Sequence, residues 1–352
     1  MKKVTRGLLC LFLCGAAVFA PLRRAAAGEA RCEIITLNSR ALRHNALHDP
    51  SVRSAAVFYP AQAADGRPLP VVYYLPGFGY SFAGFNKNSN TWLRFTRKIA
   101  NEVAPMIFVV VDGHNRWGGS QYLNSSAQGN YEDYVCNEIV AAVERRNPVP
   151  AGGVRRIVAG HSSGGFGALR LGMARHDLFD AVIAMSPDSD FPTSHLPLVQ
   201  MSQVSSVPLA EIVRIENRTH PAPVNGDLGY ALALSAAYAP GGFWHRGQFE
   251  WLYDSGGAFR PKIWQRWLEN DPLTIAVKNP HAFGANQSVY LEGAAHDEFS
   301  ANIGARKIYE ALGDRPGRHT FYEPPGHHGD HVYDRLQRGL AWAFNQPVSD
   351  IK

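Results

Sequence analysis

Charge is scarce in this chain, and cysteine is scarcer. Of 352 residues 18% are Asp, Glu, Lys or Arg, and four are cysteines, at positions 10, 14, 32 and 136. None of the four forms a CxxC pair or a zinc-ligand pattern, so neither a structural metal nor a disulfide-dense scaffold is expected. No basic run with interleaved aromatics occurs, which removes nucleic acid as an expected partner. No repeat and no low-complexity tract appears. The apolar run from Gly7 to Ala20 is fourteen residues long, short of the roughly 20 that a bilayer-spanning helix needs.

That run has the form of an export signal instead. Lys2, Lys3 and Arg6 precede it and Ala25-Ala26-Ala27 offers a small-residue cleavage site, so residues 1–27 read as a Sec-type signal peptide. The expected product is a secreted or periplasmic chain, 28–352, with no stable membrane insertion after cleavage. Leu13, which precedes Cys14, is not the small residue of a lipoprotein site. The formal charge of +5 belongs to the leader, whose five basic residues (Lys2, Lys3, Arg6, Arg23, Arg24) have no acidic counterpart; the remainder carries thirty of each sign. Cys32 and Cys136 stay. In an oxidising compartment they form either a disulfide or two separate buried thiols, and spacing alone leaves both open.

What the chain does have is apolar residues, 45% of the total, enough for a large core in one big α/β domain or two small ones. Strand patterns fall at Ala55–Tyr59, Val71–Leu75, Met106–Val111, Arg155–Ala159, Ala181–Met185, Ser288–Leu291 and His319–Tyr322. Helical patterns fall between them at Thr91–Val103, Tyr131–Arg146, Phe166–Arg175 and Ala301–Leu312, with a last helix from Val332 to about Phe344. Strands that alternate with helices predict one mostly parallel central sheet covered on both faces. Residues 187–281 break the alternation. Their prolines, glycine pairs and four tryptophans (Trp244, Trp251, Trp264, Trp267) suit an insertion over the sheet's edge, either shaping a substrate pocket or serving as a lid without substrate contact.

The chemistry concentrates at Gly160-His161-Ser162-Ser163-Gly164-Gly165. A strand precedes this G-x-S-x-G and a helix follows it, so the serine sits on a strand-to-helix turn tight enough to strain its backbone and to demand glycine beside it. Such a turn exposes the Ser162 hydroxyl and aims the Ser163 N–H at a developing oxyanion. A serine nucleophile needs a base and the base needs a carboxylate, which follow the serine in that order, acid before histidine, in α/β-hydrolases. After Leu291 come Glu292, Asp297 and Glu298; after Tyr322 come His327, His328 and His331. His161 reads as a packed side chain of the turn.

Together with Leu75-Pro76-Gly77-Phe78, Val111-Asp112-Gly113, Gln121-Tyr122-Leu123-Asn124-Ser125, Trp267-Leu268-Glu269-Asn270-Asp271-Pro272, Asp297-Glu298-Phe299 and Gly326-His327-His328, the serine motif resembles the esterase D-like family of α/β-hydrolases. That family includes S-formylglutathione hydrolases, feruloyl and enterochelin esterases and mycolyltransferases, and the likeness runs from about Val71 to Leu336. The resemblance implies an α/β-hydrolase fold, Ser162 as nucleophile, Asp297 as acid, His328 as base, and the backbone N–H groups of Phe78 and Ser163 as oxyanion hole. One departure is visible. Three residues separate Gly293 from Asp297 where the family has two, which keeps Glu292 in reserve as the acid. The implied activity is hydrolysis of a carboxylic ester, carried by a small molecule or a glycan, through an acyl-serine and with no cofactor. The alternatives are acyl transfer to an alcohol and an inert secreted binding protein.

Overall fold

A computed structural model describes residues 28–216, 226–241, 249–313 and 318–345. The proposed leader and Trp244 lie outside the described residues. Eight strands build one sheet: β1 (Arg31–Asn38), β2 (Val52–Tyr59), β3 (Val71–Leu75), β4 (Ile107–Val111), β5 (Arg156–His161), β6 (Ala181–Met185), β7 (Ser288–Glu292) and β8 (His319–Tyr322), in the order β1-β2-β4-β3-β5-β6-β7-β8. β1–β2 and β2–β4 pair antiparallel, and every pair from β4 to β8 is parallel. β3, β4 and β6 are buried at every position, as their unbroken apolar runs require when both faces are covered.

Two apolar layers sandwich the sheet. On one face α1 (Phe82–Glu102) and the last helix (Val332–Ala343) bury Phe85, Trp92, Phe95, Ile99, Leu336 and Leu340 against Phe58, Tyr74 and Phe108. On the other, the helix from Tyr131 to Glu144 and α3 (Ser163–Ala174) pack Tyr134, Val135, Ile139, Ala168 and Leu169 against Tyr73, Val109 and Val158. The first of these, α2, widens into a π turn over Tyr134–Ile139. The stretch after β6 forms a third cluster around the helix Asp227–Tyr238, where Leu232, Tyr238, Trp251 and Trp267 pack with Phe166 of α3.

Two expectations are corrected, and an open alternative is decided. β1 is a strand that was not anticipated, and α1 begins nine residues before Thr91, capped by Ser81, whose side chain accepts from the Gly84 N–H. Cys32 and Cys136 are free thiols. Cys32 packs with the α1 face of the sheet and Cys136 in the core of the opposite face, so the sheet itself separates them. Burial pushes the two thiols up, to about 11 and about 12.

Candidate active site

The carboxyl ends of β3, β5, β6, β7 and β8 converge, the position where open parallel sheets bind ligands. At the end of β5 the chain reverses into α3 within one residue, Ser162, at φ 58° and ψ −127°. That conformation is closed to most side chains and is held by close packing on both sides. A methyl group at Gly164 would lie 1.8 Å from the Leu75 carbonyl oxygen, and one at Gly160 would lie 2.1 Å from that of Gly164. Only hydrogen at both positions lets strand, turn and helix close. The Ser163 N–H is among the first of α3, so by position it lacks an intrahelical acceptor and points outward. Phe78 sits on the loop after β3, beside that helix end.

Asp297 and His328 come together. The Asp297 Oδ2 lies 2.8 Å from His328 Nδ1, with the carboxylate side chain wholly buried. Its other oxygen accepts from the backbone N–H groups of Phe299, at 3.0 Å, and Ala301, at 3.4 Å. Burial alone would push this carboxyl up. The hydrogen bond from His328, with the histidine's charge, leads the effects that overcome that and hold it below the usual carboxylate range. The His328 ring packs edge-on against Phe299, 4.8 Å between centroids, and is tilted against His161 at 4.7 Å. Ser162 Oγ has no hydrogen-bond partner among the described residues, so the serine–imidazole contact is open, a common state of unliganded sites.

The other titratable candidates go elsewhere. Glu292 is fully buried and accepts from Arg335 Nε at 2.5 Å and from the Tyr290 hydroxyl at 3.2 Å. Its carboxyl is raised by burial, with the guanidinium opposing. Among the described residues it bonds no histidine. His327 is exposed, 3.8 Å from Glu298, and His331 is exposed at the start of the last helix. His161 holds the backbone: its Nε2 meets the His328 carbonyl at 2.8 Å, and burial, reinforced by the charges of His328 and Arg335, lowers it to about 3, so the ring is neutral.

Residues that no motif marks complete the surroundings. The Ser163 hydroxyl donates to Asp188 at 2.8 Å, and Tyr230, from the insertion, donates to the same oxygen at 2.6 Å while its ring packs on Phe78 with centroids 4.7 Å apart. The insertion therefore touches the loop after β3. Two of its tryptophans, Trp251 and Trp267, are interior to their own cluster. A cavity of about 460 Å³ opens beside the turn, walled by Tyr74, Phe78, Tyr80, Trp92, His161 and Tyr333. Among the described residues no group of three or more His, Cys, Asp or Glu is arranged to hold a metal ion, and no helix is long and apolar enough to cross a membrane.

Strand order, strand-to-helix serine turn and flanking helices define an α/β hydrolase. Residues 51–344 match the family described as "Putative esterase", and the chain belongs to it, which makes it a carboxylic ester hydrolase. Solved structures of the same fold include a ferulic acid esterase (19% identity, 90% of this chain and 98% of that one, TM-score 0.58). A fluorophosphonate-binding serine hydrolase of Staphylococcus aureus follows (14%, 91% and 100%, TM-score 0.55), as does an S-formylglutathione hydrolase from Agrobacterium tumefaciens (16%, 92% and 97%, TM-score 0.52).

Proposed function

We propose that this esterase is an exported serine hydrolase that cleaves its ester through an acyl-serine intermediate. Ser162 attacks the carbonyl, His328 Nε2 takes its proton, and Asp297 holds the imidazole and balances its charge. The N–H groups of Phe78 and Ser163 donate to the oxyanion, where a helix end adds its partial positive charge. His328 then protonates the leaving alkoxide. Water enters, gives its proton to the same imidazole and attacks the acyl carbon; the acyl–Oγ bond then breaks, the acid leaves, and the imidazolium returns the proton to Ser162 Oγ.

The 2.8 Å bond between Asp297 and His328 Nδ1 carries this reading, because it fixes the tautomer that leaves Nε2 bare as a base. The strained Ser162 supports it, being the kind of backbone outlier that clusters at reactive turns. The aromatic cavity beside Ser162 offers room for one substituent of the ester.

A fluorophosphonate probe should label Ser162, and the Ser162→Ala variant should neither be labelled nor hydrolyse a panel of acetyl, long-acyl and feruloyl esters. Product analysis with a sugar alcohol present separates hydrolysis from acyl transfer. Labelling at another residue, or turnover by the variant, would sink the assignment. Export is tested separately by mass spectrometry of the mature protein, which should begin near Gly28.

A further inference from the structure

The two proposed oxyanion donors belong to separate segments, Phe78 on the loop after β3 and Ser163 at the start of α3. Their spacing is set by what ties those segments together. The buried Ser163 hydroxyl donates to Asp188 Oδ2 at 2.8 Å and accepts from Gln121 Nε2 at 3.2 Å. The Tyr230 hydroxyl donates to the same Asp188 oxygen at 2.6 Å, and the Tyr230 ring packs on the Phe78 ring with centroids 4.7 Å apart. Phe78 also lies against Gly118 and Gly119, where a methyl group would stand 2.7 and 2.9 Å from its ring carbons. One chain of contacts therefore runs from Ser163 through Asp188 and Tyr230 to Phe78.

The sign of the charge makes this chain informative. A carboxylate one side chain away from an oxyanion donor opposes the negative charge that develops there, so Asp188 does not serve by its sign. It serves by its shape, since one of its oxygens takes two O–H groups, from the serine after the nucleophile and from a tyrosine of the insertion.

We propose that Asp188 and Tyr230 are positioning residues for the oxyanion donors. Asp188 fixes the first turn of α3 through the Ser163 hydroxyl, and Tyr230 sets the loop after β3 through the Phe78 ring. The two backbone N–H groups then keep one separation and one direction while the carbonyl oxygen gains charge. Donors aimed in advance at that charge lower the barrier without tightening the ground state. The proposal rests on reading Phe78 and Ser163 as the donors and Ser162 as the nucleophile.

The test uses Asp188→Ala, Asp188→Asn and Tyr230→Phe in the full chain. The asparagine must keep its amide oxygen in the place of Oδ2, because two O–H groups point there, so it retains the shape and removes the charge. kcat and KM for a soluble activated ester are measured beside Ki for an alkyl trifluoromethyl ketone. Ser162 Oγ adds to the carbonyl carbon of that ketone and its proton passes to His328, which leaves the former carbonyl oxygen as an oxyanion facing the two donors. Asp188→Ala and Tyr230→Phe should each lose about 10- to 100-fold in kcat, keep KM, and bind the ketone more weakly by the same factor. Asp188→Asn should recover most of both losses. An unchanged Ki beside a fallen kcat, or an effect confined to KM, overturns the proposal; so does an asparagine variant as impaired as the alanine one, which would assign the effect to charge. Tyr230→Phe removes one hydroxyl and keeps the ring, so it carries the same comparison if Asp188→Ala fails to fold. Ser162→Ala, run alongside, tests the underlying reading separately: parent-like affinity of that variant for the ketone removes the oxyanion site whatever the other variants do.

Discussion

Replacing Asp297 with asparagine tests the site most sharply, because the surroundings dictate how the amide must sit. The oxygen now facing the Phe299 and Ala301 N–H groups accepts from both. An amide nitrogen there would place donor against donor in a buried site, so the asparagine must keep its oxygen on that side. Its NH2 then occupies the position of Oδ2, 2.8 Å from His328 Nδ1. Nδ1 becomes an acceptor, the imidazole proton moves to Nε2, and the base can no longer take the serine proton. The expected loss in kcat is about ten-thousandfold, or roughly 5 kcal/mol of transition-state stabilisation, with KM little changed. Steady-state kinetics on a chromogenic ester measure it directly. Stability should change too, with a defined sign. The folded carboxyl lies below its ordinary value, so its contribution is present above about pH 4, where the unfolded residue titrates, and is lost as pH falls through the lower folded value. The variant and the parent should therefore converge in acid. A loss smaller than about tenfold in kcat would refute the tautomer argument.

Glu292→Gln should act on stability more than on rate. It leaves Arg335 buried without its counter-charge, at a cost of about 3–5 kcal/mol, read as a fall in Tm, while turnover at low temperature falls by about tenfold or less. Ser162→Gly should abolish hydrolysis and raise thermal stability by about 1 kcal/mol, since glycine accepts the φ of 58°; a lower Tm would contradict strain at the turn. His328→Ala should be inactive and the exposed His327→Ala within about twofold of the parent, and the reverse pattern would overturn the choice between them. In denatured, unreduced protein Cys32 and Cys136 should both titrate as thiols, whereas in the native protein they should react slowly because burial holds them protonated; a Cys32–Cys136 disulfide found by peptide mapping would contradict the free-cysteine arrangement.

The sheet was legible wherever burial is complete. Val71–Leu75 and Ala181–Met185 are unbroken apolar runs because both faces are covered, and their observed bounds are the expected ones. β1 was illegible for the opposite reason: it is an edge strand, half exposed, and Arg31, Glu33 and Thr36 interrupt any apolar run. The first turns of α1 hide behind Asn86, Asn88, Ser89 and Asn90, poor helix formers that tertiary packing of Phe85 and Trp92 overrides. Ser162, Asp297 and His328 stand in recognisable strings. Asp188, Tyr230 and Arg335 do not, since each acts on a residue far away in the chain. Arg335 alone left a trace, a guanidinium directly before Leu336 at the start of an otherwise amphipathic final helix. A charge at the edge of an apolar stripe needs a buried partner, and Glu292 is that partner.

The insertion after β6 builds a cluster shared with Leu47, Trp117, Leu123 and Phe166, and it reaches the serine turn through Asp188 and through Tyr230 on Phe78. Such an arrangement separates two kinds of evolutionary freedom. Residues inside that cluster can be exchanged, or the segment lengthened, without disturbing the register of the strands or the closeness of Gly160 to Gly164. Changes that move Tyr230, by contrast, are felt at once by both Phe78 and Ser163, because a single carboxylate and a single ring join them. New substrate preferences can thus arise by remodelling a module joined to the serine turn through Asp188 and Tyr230, while the strands that carry the turn stay constant.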